Sequence, residues 1–390
     1  MIKHKKVMNV CLVVVMLLLL VASTGCTTTD AVYSNVQFLD ENGVPYGVKQ
    51  IDNKPRVSSM PYLFDIAEGN VPNHEVLRLD GLNEDVDAAW ETLWEVGGMY
   101  VPPAVPQQME VRSSNVADAG VVIKSGTSDS ITEVITNGAH IYTLTDAGVD
   151  FTAATAVAAG DCLLLDGDSV PAIVETVAAN VITAIGYYTE FATSTQDYRI
   201  VDDSAGGTGI KVVRLHCLDN TYATCDGFVV MNGTTNVDTI SINILRVNNI
   251  HAVFTGTSST AVGNVDIRNR TDHTTVYRRI IIGANTDRCS FWTVPLGYTG
   301  YIAGWVVAEA FSTVNRYAQA RLTATSSHHS HYQPDLWAAK DIIMVQDNTV
   351  IIPFQLPVQV PQRTDIQITV SCPDTNGIAV GHIEGWYEKN

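Results

Sequence analysis

The apolar residues of this chain follow two rhythms. Near the N-terminus, Val10 to Ala22 is an almost unbroken apolar run behind Lys3, Lys5 and Lys6, and Ser23-Thr24-Gly25-Cys26 follows it. A charged start, an apolar middle and a small-residue end are the layout of an export leader. Past residue 105 the apolar residues instead come in short bursts rich in Val, Ile, Thr and Tyr, punctuated by Gly, Asn and Asp. Lys211–Leu218, Thr239–Val247, Gly300–Val307, Asp365–Cys372 and Gly377–Tyr387 are such bursts. Asn232-Gly233, Asn376-Gly377 and Pro295-Leu-Gly297 supply turns between them. Many short strands at this spacing predict an all-β chain with a β-sandwich or jelly-roll-like C-terminal domain.

Two stretches depart from that texture. Residues 27–82 show no sustained period and carry Pro45, Pro55, Pro61 and Pro72, which predicts an extended arm, taken over 26–106. One short helix is expected inside it, over residues 83–96. Asn83 can cap it, Glu84, Asp85 and Asp87 suit its first turn, and Gly97-Gly98 can stop it. Val86, Trp90, Leu93 and Trp94 then share one face, so Trp90 and Trp94 are candidate partner contacts. Residues 119–199 read as a small inserted β module of their own, with strands around Asp161–Asp166, Ala172–Val177 and Val181–Ile185. The expected organisation is a leader over 1–25, the arm, a sandwich from 107–118 with 200–390, and the module between.

The charge balance narrows the partners. With 23 Lys and Arg against 41 Asp and Glu, the chain carries −18. Loss of residues 1–25 removes three lysines and no acid, giving −21. Such a surface repels polyanions, so no nucleic-acid partner is expected. Gly25-Cys26 resembles a bacterial lipobox, with Ser23 where that motif usually has Leu. Cleavage there would leave Cys26 as a lipidation site and the membrane as a partner through its anchor; a plain uncleaved leader is the alternative. The remaining cysteines, Cys11, Cys162, Cys217, Cys225, Cys289 and Cys372, form no CxxC pair. Cys217 and Cys225 flank a turn and can pair across a hairpin, or serve as small buried hydrophobes.

Candidate chemistry is sparse. His328-His329-Ser-His331 with Asp335 is the most metal-like group, but neighbours in a strand point to opposite faces, and a polar loop accounts for it. Gly206-Gly-Thr-Gly209 lacks the following Lys and helix of a phosphate loop, so a turn is expected. The adjacent acids Glu84-Asp85 and Asp202-Asp203, and Asp166 near Asp168, are sequence neighbours in turns; a glycosidase needs carboxylates across a cleft. Aromatics gather at Phe291-Trp292, Tyr298, Tyr301, Trp305, Trp337 and Trp386-Tyr387. Trp337, beside Pro334, is the candidate exposed contact among them. No catalytic residue, metal or cofactor is expected.

The order of several short motifs is similar to that in virion structural proteins of tailed bacteriophages. Asp87-Ala-Ala-Trp-Glu-Thr-Leu-Trp-Glu-Val-Gly-Gly-Met-Tyr-Val-Pro102 resembles their N-terminal signature. Ser113-Ser114, Ala117-Asp118, Asp202-Asp203-Ser204 and Gly206–Gly209 follow. Val212–Asp219, Val229–Thr235, Leu245–Asn248, Gly263–Val265, Thr293–Pro295, Gly297–Tyr301 and Thr364–Ile366 then come in family order. The likeness covers residues 87–118 and 202–370. It implies a non-enzymatic role as head decoration, capsid fibre or tail-associated protein, with other virion proteins and further copies of the chain as partners. An export leader fits a second reading: a membrane-anchored surface lipoprotein, or adhesin, that binds glycan or receptor through sandwich loops. A carbohydrate-active enzyme is a third.

Overall fold

The computed structural model describes residues 71–390 apart from 72, 137–138, 154, 167–169, 187–194, 311–316, 326–336, 347 and 374–376, together with 50–51, 54–55 and 66. The chain divides into two compact units, Met1–Asn70 and Val71–Asn390. In the first, Gln50–Ile51 pairs with Lys54–Pro55; the expected leader and Cys26 lie outside the described residues. The second unit is all-β and contains three bodies, each with its own core.

The first body is built from both ends of that unit. Its eight strands in chain order are His74–Val86, Glu91–Thr92, Tyr298–Ala310, Ala318–Thr325, Trp337–Val345, Thr349–Val360, Asp365–Ser371 and Gly377–Lys389. One antiparallel sheet runs first, eighth, third, sixth. The other runs second, seventh, fourth, fifth, and a further two-residue strand, Trp292–Thr293, pairs with the seventh beside the second. That order is the jelly roll. The eighth strand shows why it forms: Ala379, Gly381, Ile383 and Gly385 face inward and alternate with Ile378, Val380, His382 and Glu384. The inward residues join Leu77, Leu79, Ile302, Trp305, Leu322, Ile366 and Ile368 in one core.

The expected helix over residues 83–96 does not form. Asn83 to Val86 finish the first strand, and Glu91–Thr92 pair with Val370 and Thr369. The polar signals that suggested a cap serve turns instead. Asn83 Oδ1 accepts Asp85 N at 2.9 Å, Asp87 Oδ1 accepts Ala89 N at 2.6 Å, and the Asn83 amide donates to Glu91 at 2.7 Å. Leu93, expected on a helix face, plugs a hole over the directly paired Gly81 and Gly381 and is wholly buried. A Cβ on either glycine would meet Leu93 at 2.7 or 2.9 Å. Two strands of the jelly roll thus come from the segment expected to be an arm.

Between the second and third strands the chain builds the other two bodies. A three-stranded sheet (Gly227–Val230, Ile210–Asp219, Ile244–Thr255) and a four-stranded sheet (Val237–Asp238, Met109–Ser113, Val265–Asn269, Val276–Ile280) share a core of Met109, Val111, Leu215, Val247, Ile267 and Tyr277. The expected single sandwich over 107–118 and 200–390 is therefore two. The third body is a seven-stranded sheet within residues 122–201. Its two edge strands, Val122–Thr127 and Ser130–Thr136, are separated by two residues, so the sheet curls into a half-barrel around Tyr142, Leu144, Phe151, Leu163, Ile182 and Tyr198.

Candidate functional site

The motif series of the first half converges on one buried carboxylate. Asp118 is fully buried. Its Oδ1 accepts Ile210 N at 2.8 Å and Val262 N at 3.0 Å; its Oδ2 accepts Ser113 Oγ at 2.6 Å and Gly263 N at 2.8 Å. The glycine-rich turn lies against it. Gly207 N and Gly209 N donate to the carbonyls of Ala119 and Ala117. A Cβ at Gly207 would fall 1.8 Å from Ala117 O, and one at Gly209 2.0 Å from Asp118 Oδ1. These glycines are dictated by close backbone approach, and their N–H groups are spent on protein carbonyls. Gly233, from the Asn232-Gly233 turn, donates to Asp118 O. The insertion springs from the same place, where Asp202 N donates to Val121 O.

Buried charge joins the bodies. Arg246 of the central sandwich makes a forked pair with Asp365 of the jelly roll at 3.2 and 3.1 Å, and Thr293 Oγ1 donates to the same carboxylate at 2.6 Å. Arg278, wholly buried, donates to Asp287 at 2.9 Å and to the carbonyls of Val247 and Phe291, with Tyr100 and Phe291 rings near its guanidinium. Burial pushes the Asp287 carboxyl above its ordinary range, against the pull of Arg278. Glu95, its side chain almost wholly buried, is pushed up to about 7 by burial, although Arg288 donates to it at 2.7 Å. Lys211, also buried, donates to the carbonyls of Asp202 and Asp203 at the root of the module.

The structure separates the three tryptophans singled out from the sequence. Trp94 is buried against Tyr100, its indole N–H donating to Gly98 O, and presents no surface for a partner. Trp90 is half-buried, with the Arg321 guanidinium 3.8 Å from its ring centre. Trp337 opens the fifth jelly-roll strand opposite Thr325; its side chain lies outside the described residues, as do His328, His329, His331 and Asp335. Among the described residues no group of three or more His, Cys, Asp or Glu is placed to hold a metal ion. Of the acid pairs, Asp202 caps its own turn through Ser204 and Ala205, and Asp166 forks with Arg199. Phe291, Trp292 and Trp305 are core residues, whereas Tyr301 and Trp386 stack on each other 5.2 Å apart.

What the sequence pattern did not single out is an apolar outer face on the sheet of long strands. Ile351 is 70% exposed and lies directly opposite Val306; Val380 (43%) is opposite Ala308, and Ile378 (44%) opposite Ala310. Beside them, residues 354–357 bulge out between Pro353 and Val358, and Leu356 at that bulge is 83% exposed. The edge strand that carries Ile351 and Leu356, Thr349–Val360, has no charged residue. The signal was present in Gly377–Gly381, whose alternate positions are apolar in both phases.

The class defined by these features is an all-β protein of two sandwiches, one a jelly roll, with a half-barrel insertion. Compared with protein-family models, curated proteins and solved structures, the chain matches none.

Proposed function

We propose that this chain is a non-enzymatic structural subunit that assembles with further copies of itself, in the manner of a head-decoration, capsid-fibre or tail-associated virion protein. The apolar outer sheet face carries the proposal. Side chains such as Ile351 and Leu356 are exposed on a strand without charge, in a chain of net −18. Like-charged copies meet at least electrostatic cost where neither contributes charge. Exposed apolar patches mark interaction sites. Pro353 and Pro357 lie on the edge strand and cannot donate to an added strand, so the contact is made by side chains and not by strand addition. The ordered motif likeness to virion proteins supplies the setting.

The test is the oligomeric state of the full chain by analytical ultracentrifugation, with I351K and V380K placed on the face. Assembly in the parent and its loss in the variants, with unchanged melting, is expected. A monomeric parent at high concentration, or variants that assemble as well as the parent, would defeat the reading. Recovery of the protein in purified particles is the matching test of the setting. Recovery only in a lipid-labelled membrane fraction, abolished by Cys26→Ala, would favour the surface lipoprotein.

A further inference from the structure

Cys217 and Cys225 face each other across a hairpin of the central sandwich. The ladder pairs Leu215 with Gly227, and the bridge of Leu218 with Thr224 continues the same register, so Cys217 lies directly opposite Cys225. Cys225 N donates to Cys217 O at 2.8 Å. Directly opposed antiparallel residues have Cα atoms about 4.5–5.5 Å apart, inside the range of about 4.4–6.8 Å that a disulfide spans. The two Sγ atoms are 2.7 Å apart, well within the sum of two sulfur radii. Cys162, Cys289 and Cys372 are buried, each in a different apolar cluster.

We propose that Cys217 and Cys225 are an oxidation site that closes to a disulfide when the chain meets a small-molecule or protein disulfide. Access is one-sided. Cys225 is half-buried and Cys217 buried, both on the rim of a shallow apolar concavity with Leu215, Phe228 and Ile244. The Cys225 thiolate attacks the oxidant's disulfide and expels one oxidant thiolate. Cys217 then gives up its proton to solvent and attacks Cys225 Sγ, expelling the second. The two cysteines lose two electrons and two protons, and the oxidant leaves as two thiols.

The bond fastens a turn that holds two bodies together. Between the cysteines, Tyr222 O accepts Leu296 N at 2.7 Å, and the guanidiniums of Arg246 and Arg363 lie 5.6 and 5.9 Å from the Tyr222 ring. Tyr222 holds a left-handed backbone (φ 69), a conformation that non-glycine residues adopt at a cost. Closing the short loop fixes that turn against the jelly roll. The inference does not depend on the assembly role.

The experiment is a redox titration of the folded full chain with reduced and oxidised glutathione, followed by alkylation, proteolysis and mass spectrometry. The expected result is a linked Cys217–Cys225 peptide, loss of two alkylated sites per chain, and full alkylation of Cys162, Cys289 and Cys372 after unfolding. Amide exchange across residues 219–224 should slow several-fold in the oxidised form. Two results would overturn the proposal: Cys217 and Cys225 both alkylated in excess oxidised glutathione, or glutathione retained on Cys225 without resolution by Cys217.

Discussion

The half-barrel and the jelly roll are both β bodies with filled cores, yet the chain builds them in opposite ways. The half-barrel is written in one continuous stretch, residues 122–201, and its edges are consecutive in sequence. It meets the rest through a small apolar cluster, Cys162, Leu164 and Val201 on Val212, Phe228 and Phe254, and through Arg199, which reaches Phe228 O. The jelly roll needs residues 74–92 to cross to residues 365–389, and the central sandwich and the half-barrel are inserted between its second and third strands. Continuity makes a part separable; closure by distant ends makes it conditional on the whole. Deletion should expose this difference most sharply. Removing residues 71–92 should abolish the cooperative melt of the jelly roll, because one sheet loses an edge strand thirteen residues long and the core loses Leu77, Leu79 and Val86. Joining Val121 to Asp202, already hydrogen-bonded, should remove the module and leave near-ultraviolet circular dichroism and cooperative melting of the remainder. Collapse of the second deletion variant, with survival of the first, would reverse the comparison.

Single residues sharpen it. Asp118→Ala leaves three backbone N–H groups, two of them buried and that of Val262 part-buried, and the Ser113 hydroxyl without their acceptor. At about 1–3 kcal/mol for an orphaned buried group, and with partial relaxation, a loss of about 3–5 kcal/mol is expected in denaturant titrations. A loss under about 1 kcal/mol would mean that Asp118 does not hold the root of the insertion. Leu93→Ala empties the hole above Gly81 and Gly381 and should cost about 2–5 kcal/mol. Its effect belongs to the jelly-roll transition alone; an equal loss of protection in the half-barrel amides of the same full-length variant, read by hydrogen exchange, would contradict the separate cores.

These residues also mark what was legible in the sequence. Strands of the C-terminal half were readable because Gly377–Lys389 and Asp365–Ser371 are apolar at every second position and end at turn residues. The module was readable because its strands are neighbours in the chain. The first jelly-roll strand was not, since the inward series of Leu77 and Leu79 runs into Gly81, where a Cβ would strike Leu93 and Ser290, and the alternation ends in three successive buried residues, Gly81 to Asn83. The helix expected over 83–96 rested on local capping signals, and those signals fit Asx turns equally well. Val86, Trp90, Leu93 and Trp94 fell at helical spacing for unrelated reasons: a strand end, an arginine stack, a plug and an aromatic cluster. Asp118 appeared in the motif series, but nothing in the linear order says that residues 113, 118, 210 and 263 meet.

The smallest expected effect lies on the seam between the jelly roll and the central sandwich. The chain leaves the jelly roll at Trp94 and returns at Cys289, and these two residues form a bridge. Glu95 and Arg288 tie the two crossings beside it, with Asp287 and Arg279 nearby. Burial raises the Glu95 carboxyl from 4.5 to about 7, so the folded chain binds that proton more tightly than the unfolded chain does. Its contribution to stability is therefore complete below pH 4.5 and is lost as the pH rises through 7. Glu95→Gln keeps an uncharged group of the same shape and removes the titration. The thermal midpoint of the parent should fall further than that of E95Q between pH 5 and pH 8. The variant should be the more stable of the two at pH 8 and nearly equal to the parent at pH 5. Parallel pH profiles would show that the Arg288 pair holds the carboxylate ionised throughout, and that the seam is no more sensitive to protons than the two cores it joins.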